Sequence, residues 1–428
     1  MGAILLFLAV PWLQQEFNLI KVKPLDGFYG KATWAPFDIN DWLDGKFQAG
    51  TEKYFNENFG LRNTCVRVNN QVSFNLFQLT GAANVVVGKN NYLYGDGYLT
   101  GYYGKDFIGE KKIDENIRKL KVVREALKKK NIDLIVVFVP GKARFFPEFL
   151  PEEPKQNTTI TNYEYYSKVL TGSGVPFLNL IPYFQRLKST TPYPLFPKTG
   201  IHWTRYGADL ALDTMIHFIE NVKHYPLPHL NFSNYQVQDS CQGSDDDIEK
   251  GMNLLYPIPK YKMTVADVQV DTAHAIRPRM LTLGDSYFWN IYGSGLAIQV
   301  FTEPKFWYYY TDLYLPCQCP PKKKEEVDLQ QEIEKQDVII LFANDSKTVD
   351  FGGGFIDDAY DLYANNGAGV KERMKAKEDY IKRKIAEIRA NPEWMEGLKK
   401  QASDRNVTLE SFILVTANAQ YEIERAKK

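Results

Sequence analysis

From about residue 114 the chain alternates two kinds of apolar pattern. Ile117, Leu120, Val123 and Leu127 recur at helical spacing behind Asp114, a capping residue, and Lys128-Lys129-Lys130 closes the stretch where a helix dipole favours positive charge. Ile132 to Val139 is then almost wholly apolar, the signature of a strand buried on both faces of a parallel sheet, and Pro140-Gly141-Lys142 stops it. The pattern repeats: a predicted helix over 162–170, a strand over 175–180, a helix over 206–222, a strand over 280–283, a charged helix over 325–335 and a strand over 338–343. Such alternation specifies an α/β fold with an open, mainly parallel sheet and flanking helices. Ligands collect beyond the carboxyl ends of strands in these sheets, which singles out Lys142, Ser286 and Asn344-Asp345.

The flanks read differently. Ile39, Trp42, Leu43, Phe47, Tyr54 and Phe55 mark one face of an amphipathic helix, a second helix is expected over 64–79, and 84–94 carries a hairpin pattern turning at Lys89-Asn90-Asn91. Residues 227–272 look irregular. Their triplet Asp245-Asp246-Asp247 lacks the ligand spacing and glycine turn of a calcium loop and is expected to be a solvated loop. Beyond residue 359 the chain is charged and helical, with a helix over 371–390, a break at Asn391-Pro392 and two shorter helices, expected to dock on the chain's own domain. The apolar Gly2 to Leu13 stretch, too short to span a bilayer, is expected to be the trailing part of a signal or membrane anchor. The expected division is therefore a lead-in over 1–34, a main domain over 35–358 and a C-terminal helical appendage over 359–428.

Charge narrows the partners. Lys and Arg total 52 against 52 Asp and Glu, so the chain lacks the basic excess that holds a phosphate backbone, and nucleic acid is not expected. Aromatic residues make up 14%, flat faces that suit sugar rings as well as cores. Cys65, Cys241, Cys317 and Cys319 do not make a zinc pattern, and neither metal nor cofactor is expected.

Two stretches carry chemistry. Met280 to Leu283 runs as a strand into Gly284-Asp285-Ser286, with a helix expected through Phe288 and Ile291, so a serine hydroxyl stands at a strand-to-helix turn. The Ser286 N–H is the first oxyanion donor to consider and the Asn344 side-chain amide a second. A hydroxyl nucleophile needs a base, and of five histidines His202 has the distinctive setting, in a Pro/Gly-rich loop beside Trp203 and ahead of a helix. His217, His224, His229 and His274 read as surface or packing residues. Trp203 and Trp289 are candidates for stacking on a glycan.

The ordered set of a Gly-Lys-x-x-x-Leu-Tyr hairpin (Gly88 to Tyr94), a Pro-x-Lys-x-x-x-x-Pro-Glu loop (Pro140 to Glu148), His202-Trp203-Thr204 and Gly284-Asp285-Ser286 resembles the alginate O-acetyltransferase family. The resemblance spans about residues 35 to 350. It implies an SGNH-hydrolase-like fold and a periplasmic protein anchored by an N-terminal hydrophobic segment. It also implies acetyl transfer to an exported polysaccharide, with the donor supplied by an integral-membrane acyltransferase. Ser286 would be nucleophile and His202 general base. An acetyl esterase or a non-catalytic glycan-binding or assembly subunit are the alternatives. One position departs from the pattern: the family's loop carries Asp two residues before the histidine, and this chain has Gly200. Either another acid substitutes, with Asp345 beyond the neighbouring strand as the candidate, or a backbone carbonyl orients His202, or activity is weak or absent.

Overall fold

The computed structural model describes residues 2–27, 32–152, 160–239, 241, 243–316, 318–365, 367–404 and 408–427. The chain divides into two compact units, one of residues 1–83, 249–257 and 373–428, the other of residues 84–248 and 258–372. These boundaries differ from the expected 34/35 and 358/359. Arg67 and Asn70 on the helix Arg62–Phe77 donate to the carbonyls of Leu254 and Met252, which ties that helix to the 249–257 segment. At the other end, Phe355, Ile356 and Ala359 are buried in a sheet core, which keeps the helix Phe355–Ala364 with the sheet unit.

Within the first unit the apolar start forms the helix Gly2–Phe17, with Pro11 inside it. Among the described residues no helix is long and apolar enough to cross a membrane. The end of the chain folds as Ala368–Ala390, Pro392–Asp404 and Leu409–Lys427, which share a small core including Ile388, Leu398, Phe412 and Ile413.

The second unit holds eleven strands among its described residues: β1 (Val85–Val87), β2 (Leu93–Gly95), β3 (Asp133–Val139), β4 (Phe177–Asn179), β5 (His229–Gln238), β6 (Met263–Asp271), β7 (Arg279–Gly284), β8 (Thr302–Tyr308), β9 (Asp312–Tyr314), β10 (Lys322–Lys323) and β11 (Val338–Asn344). Seven form one sheet in the order β10-β9-β8-β7-β11-β3-β4. The pairs β8–β7, β7–β11, β11–β3 and β3–β4 are parallel, while β9 and β10 extend the edge antiparallel. Register runs from Val338 opposite Asp133 to Asn344 opposite Val139.

Alternation along the central strands feeds a core on each face. Ile135, Val137 and Val139 of β3 with Ile340 and Phe342 of β11 pack against the helix Arg205–Lys223 through Ala208, Leu212, Met215 and Ile219. Leu134, Val136 and Phe138 with Ile339 and Leu341 face the opposite layer, where Ile117, Leu120 and Val123 of the helix Glu110–Lys128 are buried. Covering both faces is what makes these strands read as continuous apolar runs.

Residues 227–272, expected to be irregular, contain an antiparallel ribbon of β5 and β6 paired from His229–Asp271 to Gln238–Met263, with a bulge between Ser233 and Gln236. The bulge shifts the alternation from Leu230 and Phe232 to Tyr235 and Val237, which hides the period-two pattern. β8 also escaped the pattern, because Pro304 and the buried Lys305 interrupt it; Lys305 is neutralised by an ion pair with Glu332 on the helix Leu329–Glu334.

Candidate active site

β3, β7 and β11 end side by side and lead into Pro140-Gly141-Lys142, Asp285-Ser286 and Asp345-Ser346 respectively. At the end of β7, Asp285 is buried and turned inward: its carboxylate accepts from the Tyr287 N–H at 2.9 Å, the Asn344 N–H at 2.7 Å and the Asn344 side-chain amide at 2.8 Å. This pins the turn and leaves the Ser286 side chain partly exposed beside it. Burial pushes the Asp285 carboxyl above its ordinary value. Asn344, expected to offer its amide to an oxyanion, spends that amide on Asp285 instead.

His202 reaches Ser286 from the loop before the helix Arg205–Lys223. Its Nε2 lies 2.9 Å from Ser286 Oγ. The Nδ1 lies 3.2 Å from Oδ2 of Asp247. The acid opposite the imidazole is therefore the last member of the Asp245-Asp246-Asp247 triplet, read from sequence as a solvated loop. Asp247 opens the helix Asp247–Met252, and its Oδ1 accepts from the Ile201 N–H at 3.0 Å and the Ile248 N–H at 2.8 Å. Those two amides fix the carboxylate opposite the ring.

Asp345, the candidate for that acid, is occupied elsewhere. It is buried, with Oδ1 accepting from the Gly141 N–H and Oδ2 pairing with Arg144 Nε at 2.6 Å. It links the ends of β11 and β3 beneath the site, since it follows β11 directly and its partners follow β3.

Gly200 explains the exchange. A Cβ there would stand 2.3 Å from the Ser244 carbonyl oxygen and 2.8 Å from that of Asp245. The segment that delivers Asp247 thus fills the space a side chain at position 200 would need, and only glycine lets the two backbones approach.

The His202 loop is clamped from both sides. Lys142 is buried and donates from Nζ to the carbonyls of Lys198 (2.7 Å) and Gly200 (2.8 Å); burial drives its pKa well below the ordinary value, against the pull of Asp247. Its role is to position the loop. Tyr287 donates from its hydroxyl to the Ile201 carbonyl at 2.9 Å, and its own carbonyl accepts from Trp203 Nε1 at 3.1 Å. Trp203 is fully buried, with its ring stacked on Phe184, so it packs the core and offers no face to a sugar. Trp289 is half-buried among Phe306, Tyr308 and Tyr314.

Two tyrosines escaped the sequence reading. The Tyr98 hydroxyl lies 3.4 Å from Ser286 Oγ, and burial pushes its pKa up to about 12, so it remains a neutral phenol at neutral pH. Tyr98 sits on the helix Asp96–Tyr102, which packs closely on Ser346: a Cβ at Gly101 would meet the Ser346 carbonyl oxygen at 2.4 Å. Burial also pushes the Tyr309 phenol above its ordinary value, a push that the neighbouring Ser286 hydroxyl opposes. Tyr309 and Tyr310 adopt left-handed backbone (φ 47° and 57°) just past β8, a conformation that costs about 1–3 kcal/mol per residue and gathers at functional sites. The run Trp307-Tyr-Tyr-Tyr310 was the available signal.

A serine hydroxyl, an imidazole and a carboxylate in one hydrogen-bonded line, beyond the carboxyl ends of parallel strands, form an arrangement that can support acyl transfer. Residues 85–247 match the family described as SGNH hydrolase-like domain, acetyltransferase AlgX. This chain is similar to the alginate O-acetyltransferase family. The matched segment contains His202 and closes on Asp247, while Ser286 lies beyond it. The probable alginate O-acetylase AlgJ of Azotobacter vinelandii is 26% identical over 182 residues, covering 42% of this chain and 45% of that protein. Its counterpart from Pseudomonas syringae pv. tomato is 26% identical over 169 residues, covering 40% and 41%. The chain thus spans less than half the length of the curated relatives it matches. Among solved structures, the O-acetyltransferase domain of Pseudomonas putida AlgJ aligns with 65% of this chain and 99% of its own at 15% identity and a TM-score of 0.43. Pseudomonas aeruginosa AlgX aligns with 66% and 67% at 14% identity and a TM-score of 0.41.

Proposed function

We propose that this chain transfers acetyl groups to hydroxyls of an exported polysaccharide through an acyl-serine intermediate. The observation that carries the reading is the line Asp247–His202–Ser286. With the Nδ1 proton donated to Asp247, Nε2 is left to accept the Ser286 proton. Ser286 Oγ attacks the acetyl carbonyl of the donor, and the proton held on His202 passes to the departing group. A sugar hydroxyl then gives its proton to Nε2 and attacks the acyl carbon, and Ser286 leaves with that proton. Asp247 orients the imidazole and stabilises its protonated form without taking the proton.

The polysaccharide acceptor, a donor delivered by an integral-membrane acyltransferase, a periplasmic location and membrane contact through the N-terminal segment belong to the same proposal and rest on the family similarity. The catalytic portion in this proposal is the unit of residues 84–248 and 258–372, in place of the expected 35–358.

Intact-protein mass spectrometry after incubation with p-nitrophenyl acetate tests the reaction. One acetyl adduct on the wild type, absent from Ser286→Ala and His202→Ala, is expected. Equal labelling of all three proteins, or none, would overturn the reading. Acetate released without transfer to added oligosaccharide would assign an esterase instead.

A further inference from the structure

At the far end of the helix that follows His202, three side chains with metal-binding atoms converge. His217 and Glu220 lie three residues apart on the helix Arg205–Lys223, so they share a face, and His229 opens β5 beside them. One ligand atom from each lies within 4.8 Å of the others. The two imidazole rings are 4.7 Å apart between centroids.

The surroundings suit a ligand role. His217 Nδ1 donates to the Asp213 carbonyl at 2.8 Å, with the Asp213 carboxylate at 3.9 Å, so in the neutral ring Nε2 carries the ligating lone pair. Donation of the other ring N–H to a carbonyl or carboxylate is the arrangement that orients metal-bound histidine. His229 Nε2 already sits 2.8 Å from Glu220 Oε1, and that oxygen also accepts from the Leu227 N–H at 2.8 Å. The glutamate is thereby fixed by backbone. Tetrahedral ligands at zinc distances stand about 3.3 Å apart, so a closure of up to about 1.5 Å by two half-exposed imidazoles completes the set.

We propose that His217, Glu220 and His229 bind one divalent first-row transition-metal ion such as zinc, the class that two imidazoles and one carboxylate suit. The site is separate from Ser286. It clasps the helix that begins just after His202 to the first residue of the ribbon whose far end leads into Asp247, so the bound ion stiffens the two elements that supply both partners of the catalytic hydrogen bond.

Zinc titration of the full chain, in competition with a chromophoric zinc indicator, tests this. The wild type should take up one zinc per chain and melt at a higher temperature with it. His217→Ala and His229→Ala should each weaken binding by at least about tenfold, the loss that even outer partners of metal ligands produce. Glu220→Gln, which keeps an oxygen for the Leu227 N–H, should weaken zinc without lowering the metal-free melting temperature. Cobalt in place of zinc should give visible absorption bands that the His217 variant lacks. No stoichiometric uptake, or uptake unchanged in all three variants, would overturn the proposal, the latter by assigning the metal to other groups such as the cysteines.

Discussion

Replacing Asp247 by asparagine isolates the acid of the proposed catalytic line. The amide keeps an oxygen for the Ile201 and Ile248 N–H groups, so the loop should hold its place. Its NH2, however, would face the His202 Nδ1 proton now donated to Asp247 and would favour the tautomer that protonates Nε2. Ser286 would then meet a donor where it needs an acceptor. In a buried serine-protease triad the equivalent change costs about four decades in turnover, or about 5.5 kcal/mol. Asp247 exposes 34% of its side chain, and water screens a charge there that it could not screen in a sealed triad. Retaining half to three quarters of the effect leaves about 2.7–4 kcal/mol, a fall of about 10²–10³ in turnover. Pre-steady-state hydrolysis of p-nitrophenyl acetate should show the loss in the acylation rate, with an unchanged melting temperature. Activity of Asp247→Asn within about twofold of wild type would refute the role, and a comparable loss in Asp345→Asn at unchanged stability would move it to Asp345.

Other outcomes follow from the same geometry. Gly200→Ala should displace the Ser244–Asp245 backbone and lower acylation about as far as Asp247→Asn, and Gly200→Asp should not rescue Asp247→Asn; rescue would show that the space is open. Trp203→Ala should destabilise the protein by about 3–5 kcal/mol in denaturant unfolding, since the ring is core; weakened glycan binding at unchanged stability would contradict its burial. Burial raises the Asp209 carboxyl to about 6 despite its pairing with Arg205. The folded state therefore binds more protons than the unfolded chain between about pH 4 and 6, and this group's contribution to stability falls as pH rises through that window. Melting curves of Asp209→Asn should decline less steeply across it than those of wild type, and parallel curves would refute the assignment.

Much of this protein is written in its apolar pattern. β3 and β11 are unbroken apolar runs because both faces of the sheet are covered, and the helices Asn162–Leu170 and Arg205–Lys223 are legible because each buries one stripe. Ser286 and His202 were legible as a serine and a histidine in distinctive local settings, and the fold brings them within 2.9 Å of each other. The acid was not, because its partner is chosen through space. Asp247 is brought to His202 by a ribbon whose bulge masks its alternation, and it fits only because Gly200 lacks a side chain. Asp345, equally well placed along the sequence, is claimed by Gly141 and Arg144. Tyr98 joins Ser286 from a distant segment for the same reason. Period and composition determine which elements form and which faces they bury. Which carboxylate meets the imidazole was decided by tertiary structure alone, since that contact depends on the close approach of two backbones 45 residues apart in the chain.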